Sequence, residues 1–172
     1  MILALLQIAA VAIVAISLVR SRARFRRRNA QSWESLVARL QPGWSGRDLS
    51  DHFLGSEGLS ASPEETWELM RGARGLWAMY HNAGVMLEMA YYAARNSISS
   101  DLELLASLRS DAIQIRVGAL TALAQFALNK ASDSVRFNAF QVASQYTGMA
   151  ARMTRLLQEN ASVLVPDFVA AM

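Results

Sequence analysis

His81 is the side chain in this sequence best suited to binding a ligand, because a neutral imidazole can coordinate a metal ion or a haem iron. It lies in the segment WAMYHNAG, close to methionines and aromatic residues. One hypothesis is therefore an axial ligand to haem or to a chlorophyll-type magnesium. The other is an imidazole hydrogen-bonded between helices, as buried polar groups usually are. No second ligand stands at a matching spacing, so we predict neither a cofactor nor a metal site.

Glu88 and Arg116 form a second candidate pair. Each interrupts a long stretch without other formal charges, Glu88 in VMLEMAYY and Arg116 in IQIRVGAL. The helices that carry them are expected to be antiparallel neighbours. Because an unpaired charge is costly to bury, we predict a buried ion pair between them, with a structural role rather than a binding role.

No arrangement of residues in the sequence points to catalysis. The chain has no cysteine, which excludes a cysteine nucleophile, thiolate zinc and iron–sulfur clusters. It has only two histidines. Glycine-rich phosphate loops, HExxH, GxSxG and EF-hand motifs are also missing from the sequence. We therefore predict that the protein is not an enzyme and that it works through its contacts.

The stretch between Arg136 and Arg152 carries no formal charge, although a helix facing bulk water usually carries several. Charges are depleted at the centres of protein interfaces. We interpret the side away from the apolar stripe as a partner face, with a solvated neutral surface as the alternative. The predicted partner face comprises Phe137, Asn138, Gln141, Ser144 and Gln145.

The basic character of the chain comes from one short cluster. The net charge is +3, but from residue 29 onward eleven basic and fourteen acidic residues leave −3. The cluster directly follows an apolar run, which favours contact with acidic lipid headgroups. No aromatic platform accompanies it, so we predict no nucleic acid as a partner. The predicted lipid-contacting residues are Arg20, Arg22, Arg24, Arg26, Arg27 and Arg28.

Ile2 to Val19 is an almost unbroken apolar run in which only Gln7 and Ser17 are polar. As a helix it is about 27 Å long, close to the hydrocarbon thickness of about 30 Å. Positive charge follows the run and none precedes it, which favours a reversed signal anchor over a cleaved signal peptide. We predict a single-pass protein of the bacterial inner (cytoplasmic) membrane, with its N-terminus outside and its C-terminal domain in the cytoplasm.

The rest of the sequence is predicted to be helical, since apolar residues recur every three or four positions and strand-like alternation is missing. Ser62 to Glu65 forms a capping box, and Ser100 with Glu103 forms a second one. Gly72 and Gly75 predict a kink. The predicted elements are a short helix over 32–41 and long helices from 62 to about 95, from 100 to about 129 and from about 134 to 160.

The predicted fold is all-α, a single N-terminal transmembrane helix followed by an antiparallel bundle of three long helices plus short helices. Pro166 is expected to break any helix in the apolar C-terminal tail. The predicted domains are a transmembrane helix over 1–19, an Arg-rich juxtamembrane segment over 20–31, a short helix and Gly-rich loop over 32–61, and the bundle with its tail over 62–172.

These features together predict a membrane-anchored accessory or scaffold subunit of an integral membrane protein complex, for example a respiratory or photosynthetic one. Its expected partners are membrane lipids and that complex. One alternative is a protein that binds haem or a chlorophyll-type group through His81. The other is a membrane-tethered regulatory domain that senses a ligand between its helices.

Overall fold

The computed structural model describes residues 32–41, 62–96, 101–129 and 132–171, together with Ala12 and Ile16. This part of the chain is almost entirely helical and contains no strand. Its elements are α1 (Trp33–Val37), α2 (Pro63–Leu69), α3 (Ala73–Arg95), α4 (Leu102–Asn129), α5 (Asp133–Asn160), a short 3₁₀ helix (Ser162–Leu164) and α6 (Val165–Ala171).

The three long helices α3, α4 and α5 form the predicted bundle. Along α4, Asp111 contacts Arg152 while Gln125 contacts Asn138. As residue numbers rise in α4 they fall in α5, so the two helices are antiparallel. In α3 and α4, Tyr91 packs against Arg109 and Tyr80 packs against Arg116, so these two helices are antiparallel as well. The prediction of an antiparallel helical bundle is thereby confirmed.

The short helices complete the bundle at its sides. Ser32 begins α1 by accepting a hydrogen bond from the Ser35 amide, and Trp33 packs edge-on against Tyr92 of α3 with ring centroids 5.0 Å apart. α1 also contacts α6, in which Phe168 is fully buried. The first and last helices of the described chain are therefore neighbours. α2 packs against α5.

The predicted helix from 62 to 95 is two helices. Ser62 and Glu65 form the expected capping box, with Pro63 at the first helical position. Arg71 and Gly72 then both adopt positive φ, 59° and 62°, so the chain leaves α2 and restarts as α3. A right-handed helix needs negative φ at every residue, so two successive residues at positive φ interrupt its hydrogen bonding and end the helix instead of bending it.

Two other local expectations differ from the structure. The Leu104 amide donates to the Asp101 carboxylate at 2.9 Å, so Asp101 caps the start of α4, while Ser100 lies outside the described residues. Pro166 does not break the tail. It lies in the first turn of α6, where its missing N–H costs no helical hydrogen bond.

In the described residues, no helix combines the length and the apolar content that crossing a bilayer requires. The long helices instead bury mainly apolar side chains within the bundle, while most of their charged residues are at least partly exposed. The predicted transmembrane helix is corrected on this finding, and with it the single-pass inner-membrane localisation and the membrane topology. Apart from Ala12 and Ile16, the segment Ile2–Val19 lies outside the described residues, as do the arginines between residues 20 and 28. The supported fold class is an all-α helical bundle.

Candidate functional site

A groove of about 530 Å³ runs between α4 and α5. Asn138, Gln141 and Gln145 from the predicted partner face line it, together with Val142. The opposite wall belongs to α4, which contributes Ile113, Gln114, Val117, Gly118 and Thr121. None of these nine lining residues carries a formal charge. We call this site the α4–α5 groove.

Two cross-links between the helices bracket the groove. Arg152 pairs with Asp111 at 2.5 Å on one side, and Asn138 Nδ2 donates to Gln125 Oε1 at 2.7 Å on the other. The two α4 residues, 111 and 125, are fourteen positions apart, which spans about 21 Å of helix. The groove therefore lies between two direct side-chain contacts of α4 with α5.

The base of the groove is a close approach of the two helices. A Cβ atom added to Gly118 would lie 2.7 Å from Val142 Cγ2, a separation that carbon atoms do not tolerate. Glycine at 118 is therefore what allows α5 to pack so near α4. Val142 is 4% exposed and closes the base with an apolar surface.

The polar side chains of the groove fall into two groups. Gln114, Thr121 and Asn138 hydrogen-bond to other residues of the bundle. Gln141 and Gln145 are exposed, and within the described chain neither side chain makes a hydrogen bond. The groove thus presents two free amides, each able to donate and to accept.

The rest of the predicted partner face lies beside the groove. Phe137 is 52% exposed, and Ser144 is exposed as well. The α4 wall was not predicted from the sequence. The sequence feature that could have indicated this wall is the stretch of α4 in which Arg116 is the only formal charge. Because Arg116 is buried in the bundle, the exposed wall is neutral.

The structure does not bring Glu88 and Arg116 together as an ion pair. Glu88 instead accepts from both terminal nitrogens of Arg39, at 2.5 and 3.2 Å. The hydrogen bond to Glu88 raises the pKa of Arg39, against an opposing effect of burial. Arg116 donates to the Tyr80 hydroxyl at 2.8 Å. Each predicted partner is thus engaged elsewhere, Glu88 with Arg39 and Arg116 with Tyr80.

His81 serves as a tether between α3 and the end of α1. Its Nε2 lies 3.2 Å from the Arg39 carbonyl oxygen, which can only accept, so this nitrogen carries the hydrogen and is not a free ligand. The next residue, Asn82, binds both backbone groups of Gln41 through its side chain. The cofactor hypothesis therefore gains no support from this geometry. In the described part of the chain, no three potential metal ligands cluster.

No protein-family model, no curated protein and no solved structure matches the chain.

Proposed function

We propose that the protein is a helical accessory or scaffold protein that binds a partner protein through the α4–α5 groove. The observation that supports this most directly is the charge-free lining of an exposed groove that also presents two free glutamine amides. Surfaces that face only water are normally rich in charge, whereas the centres of interfaces are depleted in it. The occupant we propose is an amphipathic helix of the partner.

The groove fits a helix better than an extended strand. Both walls are α-helices, whose backbone groups are hydrogen-bonded within each helix and offer no edge to a strand. Recognition must therefore rest on side chains, as in complexes where an amphipathic helix lies in an apolar groove. A length of about 21 Å accommodates about fourteen helical residues.

The contacting face of that helix is expected to be uncharged. A charge placed over the groove would lose its hydration without gaining an opposite charge. Ile113 and Val117 offer apolar contact on one wall, while Gln141 and Gln145 can bind hydroxyl or amide side chains. A buried amide left unpaired costs about 1–3 kcal/mol, so the two glutamines would discriminate against fully apolar helices.

The test compares two sets of substitutions on α5. A chain with Gln141→Glu and Gln145→Glu places two charges in the groove, and we expect it to lose the partner while its helicity and unfolding midpoint stay unchanged. Gln158→Glu makes the same chemical change at an exposed position of α5 outside the groove and serves as the control.

Photo-crosslinking from position 141 identifies the bound segment, which is then prepared as a synthetic helix and titrated against the three chains. The proposal requires binding by the parent chain and by Gln158→Glu, and at least about tenfold weaker binding by the double variant. Equal binding by all three chains, or cross-links only to non-helical segments, would overturn it.

A further inference from the structure

A second cleft, of about 610 Å³, lies where α2 gives way to α3. Arginines from three separate elements line it: Arg71 from the turn, Arg74 from the first turn of α3, and Arg136 from α5. Glu68 is the one acidic residue among the lining residues. We call this site the arginine cleft.

Two of the three arginines that line the arginine cleft have no acidic partner among the described residues. Arg71 and Arg74 are exposed and form no ion pair within the described chain. Arg136 forms ion pairs with Glu64 at 3.6 Å and with Asp133 at 3.8 Å, while its buried Nε has no hydrogen-bond partner. Two unpaired guanidinium groups and one unused Nε donor therefore lie at the same cleft, an arrangement that a bound anion stabilises.

Aromatic rings form the back of the cleft. Trp67 and Phe126 both line it, with centroids 5.5 Å apart. A Cβ atom at Gly72 would lie 3.0 Å from the Trp67 ring, so the glycine lets the turn sit directly on the indole. An apolar wall lowers the local dielectric response, which strengthens the attraction between guanidinium groups and a bound anion.

We infer that the arginine cleft binds the phosphate group of a small phosphorylated molecule. A phosphate monoester carries nearly two negative charges at neutral pH, and the two guanidinium groups without an ion pair, those of Arg71 and Arg74, can receive them. The planar donor fork of arginine suits phosphate oxygens, and three such forks reach the cleft from different sides. No part of this inference depends on the α4–α5 groove.

The experiment is isothermal titration of the full chain at low salt with three probes: inorganic phosphate, adenosine 5′-monophosphate and adenosine. We expect phosphate and the monophosphate to bind and adenosine not to bind. Arg74→Gln and Arg136→Gln should each weaken binding of the monophosphate about tenfold or more, the usual effect of losing a charged hydrogen bond. Arg155→Gln, on an exposed arginine paired with Glu159 in its own helix, should bind within about twofold of the parent chain.

Three outcomes would overturn the inference. The first is no binding of either phosphate-bearing probe at about 10 mM, above any useful small-ligand affinity. The second is equal binding of adenosine and its monophosphate, since the phosphate would then contribute nothing. The third is an equal loss of binding in Arg155→Gln and Arg74→Gln. Arg74 is exposed, so its variant tests binding even if Arg136→Gln fails to fold.

Discussion

Asn82 of α3 donates a hydrogen bond to the hydroxyl of Tyr146 in α5, over 3.1 Å, inside the bundle. Tyr146 is 2% exposed and Asn82 is fully buried, so neither group can turn to water for a substitute. Tyr146→Phe removes the acceptor, and we expect the free energy of unfolding to fall by about 1–3 kcal/mol. Urea denaturation measures this. Tyr92→Phe, at a partly exposed ring, should change stability by less than about 0.5 kcal/mol. Equal losses in the two variants would contradict the assignment.

The same hydroxyl predicts a loss of stability in alkali. Burial raises the pKa of Tyr146 above its ordinary value, while the hydrogen bond from Asn82 acts in the opposite direction. Above pH about 10 the unfolded chain releases this proton and the folded chain keeps it, so the free energy of unfolding falls by up to about 1.4 kcal/mol per pH unit. The full contribution is present below pH 10. Tyr146→Phe should show a shallower decline than the parent chain, and identical slopes would refute the prediction.

Double-mutant cycles measure whether Glu88 interacts with Arg39, as in the structure, or with Arg116, as predicted from the sequence. For Arg39→Gln and Glu88→Gln we expect a coupling of about 1 kcal/mol, limited because the Arg39 side chain is 36% exposed. Arg155 and Glu159, exposed on one helix, should couple by less than about 0.5 kcal/mol. A third cycle, between Glu88 and Arg116, should give no measurable coupling, and a value above 1 kcal/mol would restore the sequence-based pairing.

Gly118 offers a steric test of the packing between α4 and α5. Gly118→Ala gains helix propensity but drives a methyl group into Val142, whose branched side chain is stiff in a helix. We expect a net destabilisation of about 1–2 kcal/mol. Gly148→Ala meets only Arg152, at 3.8 Å, and should stabilise by about 0.5–1 kcal/mol. The unfolding temperatures of the two variants measure these effects. Stabilisation of both variants would show that α4 and α5 can move apart.

The bundle was predictable because its signals are local and repeated. Apolar stripes fix which side of each long helix is buried, and the Ser62 capping box fixes one boundary. The break at Arg71 and Gly72 was predicted only as a kink, since glycine permits positive φ without requiring it. The sequence does not identify Asp101 as the N-cap of α4, because the adjacent Ser100 and Asp101 are residue types with similar N-cap preference.

The candidate sites were only partly predictable, for reasons of geometry. The charge gap in α5 pointed to Gln141 and Gln145, but the facing wall depends on which helix becomes the neighbour. Arg39 could not be assigned to Glu88 because forty-nine positions and a change of direction separate them. The arginine cleft is formed by residues of three separate elements, and no spacing pattern in the sequence predicts that they lie close together.

The contact between α1 and α6 has a consequence for synthesis of the chain. Trp33 and Leu36 are buried in the finished core, yet α6 with its buried Phe168 emerges from the ribosome more than a hundred residues later. At about 5–20 residues per second, that interval is on the order of ten seconds. During that time α3 can already cover part of α1, through Trp33 and Tyr92, but the part of α1 that contacts α6 still lacks its final neighbour.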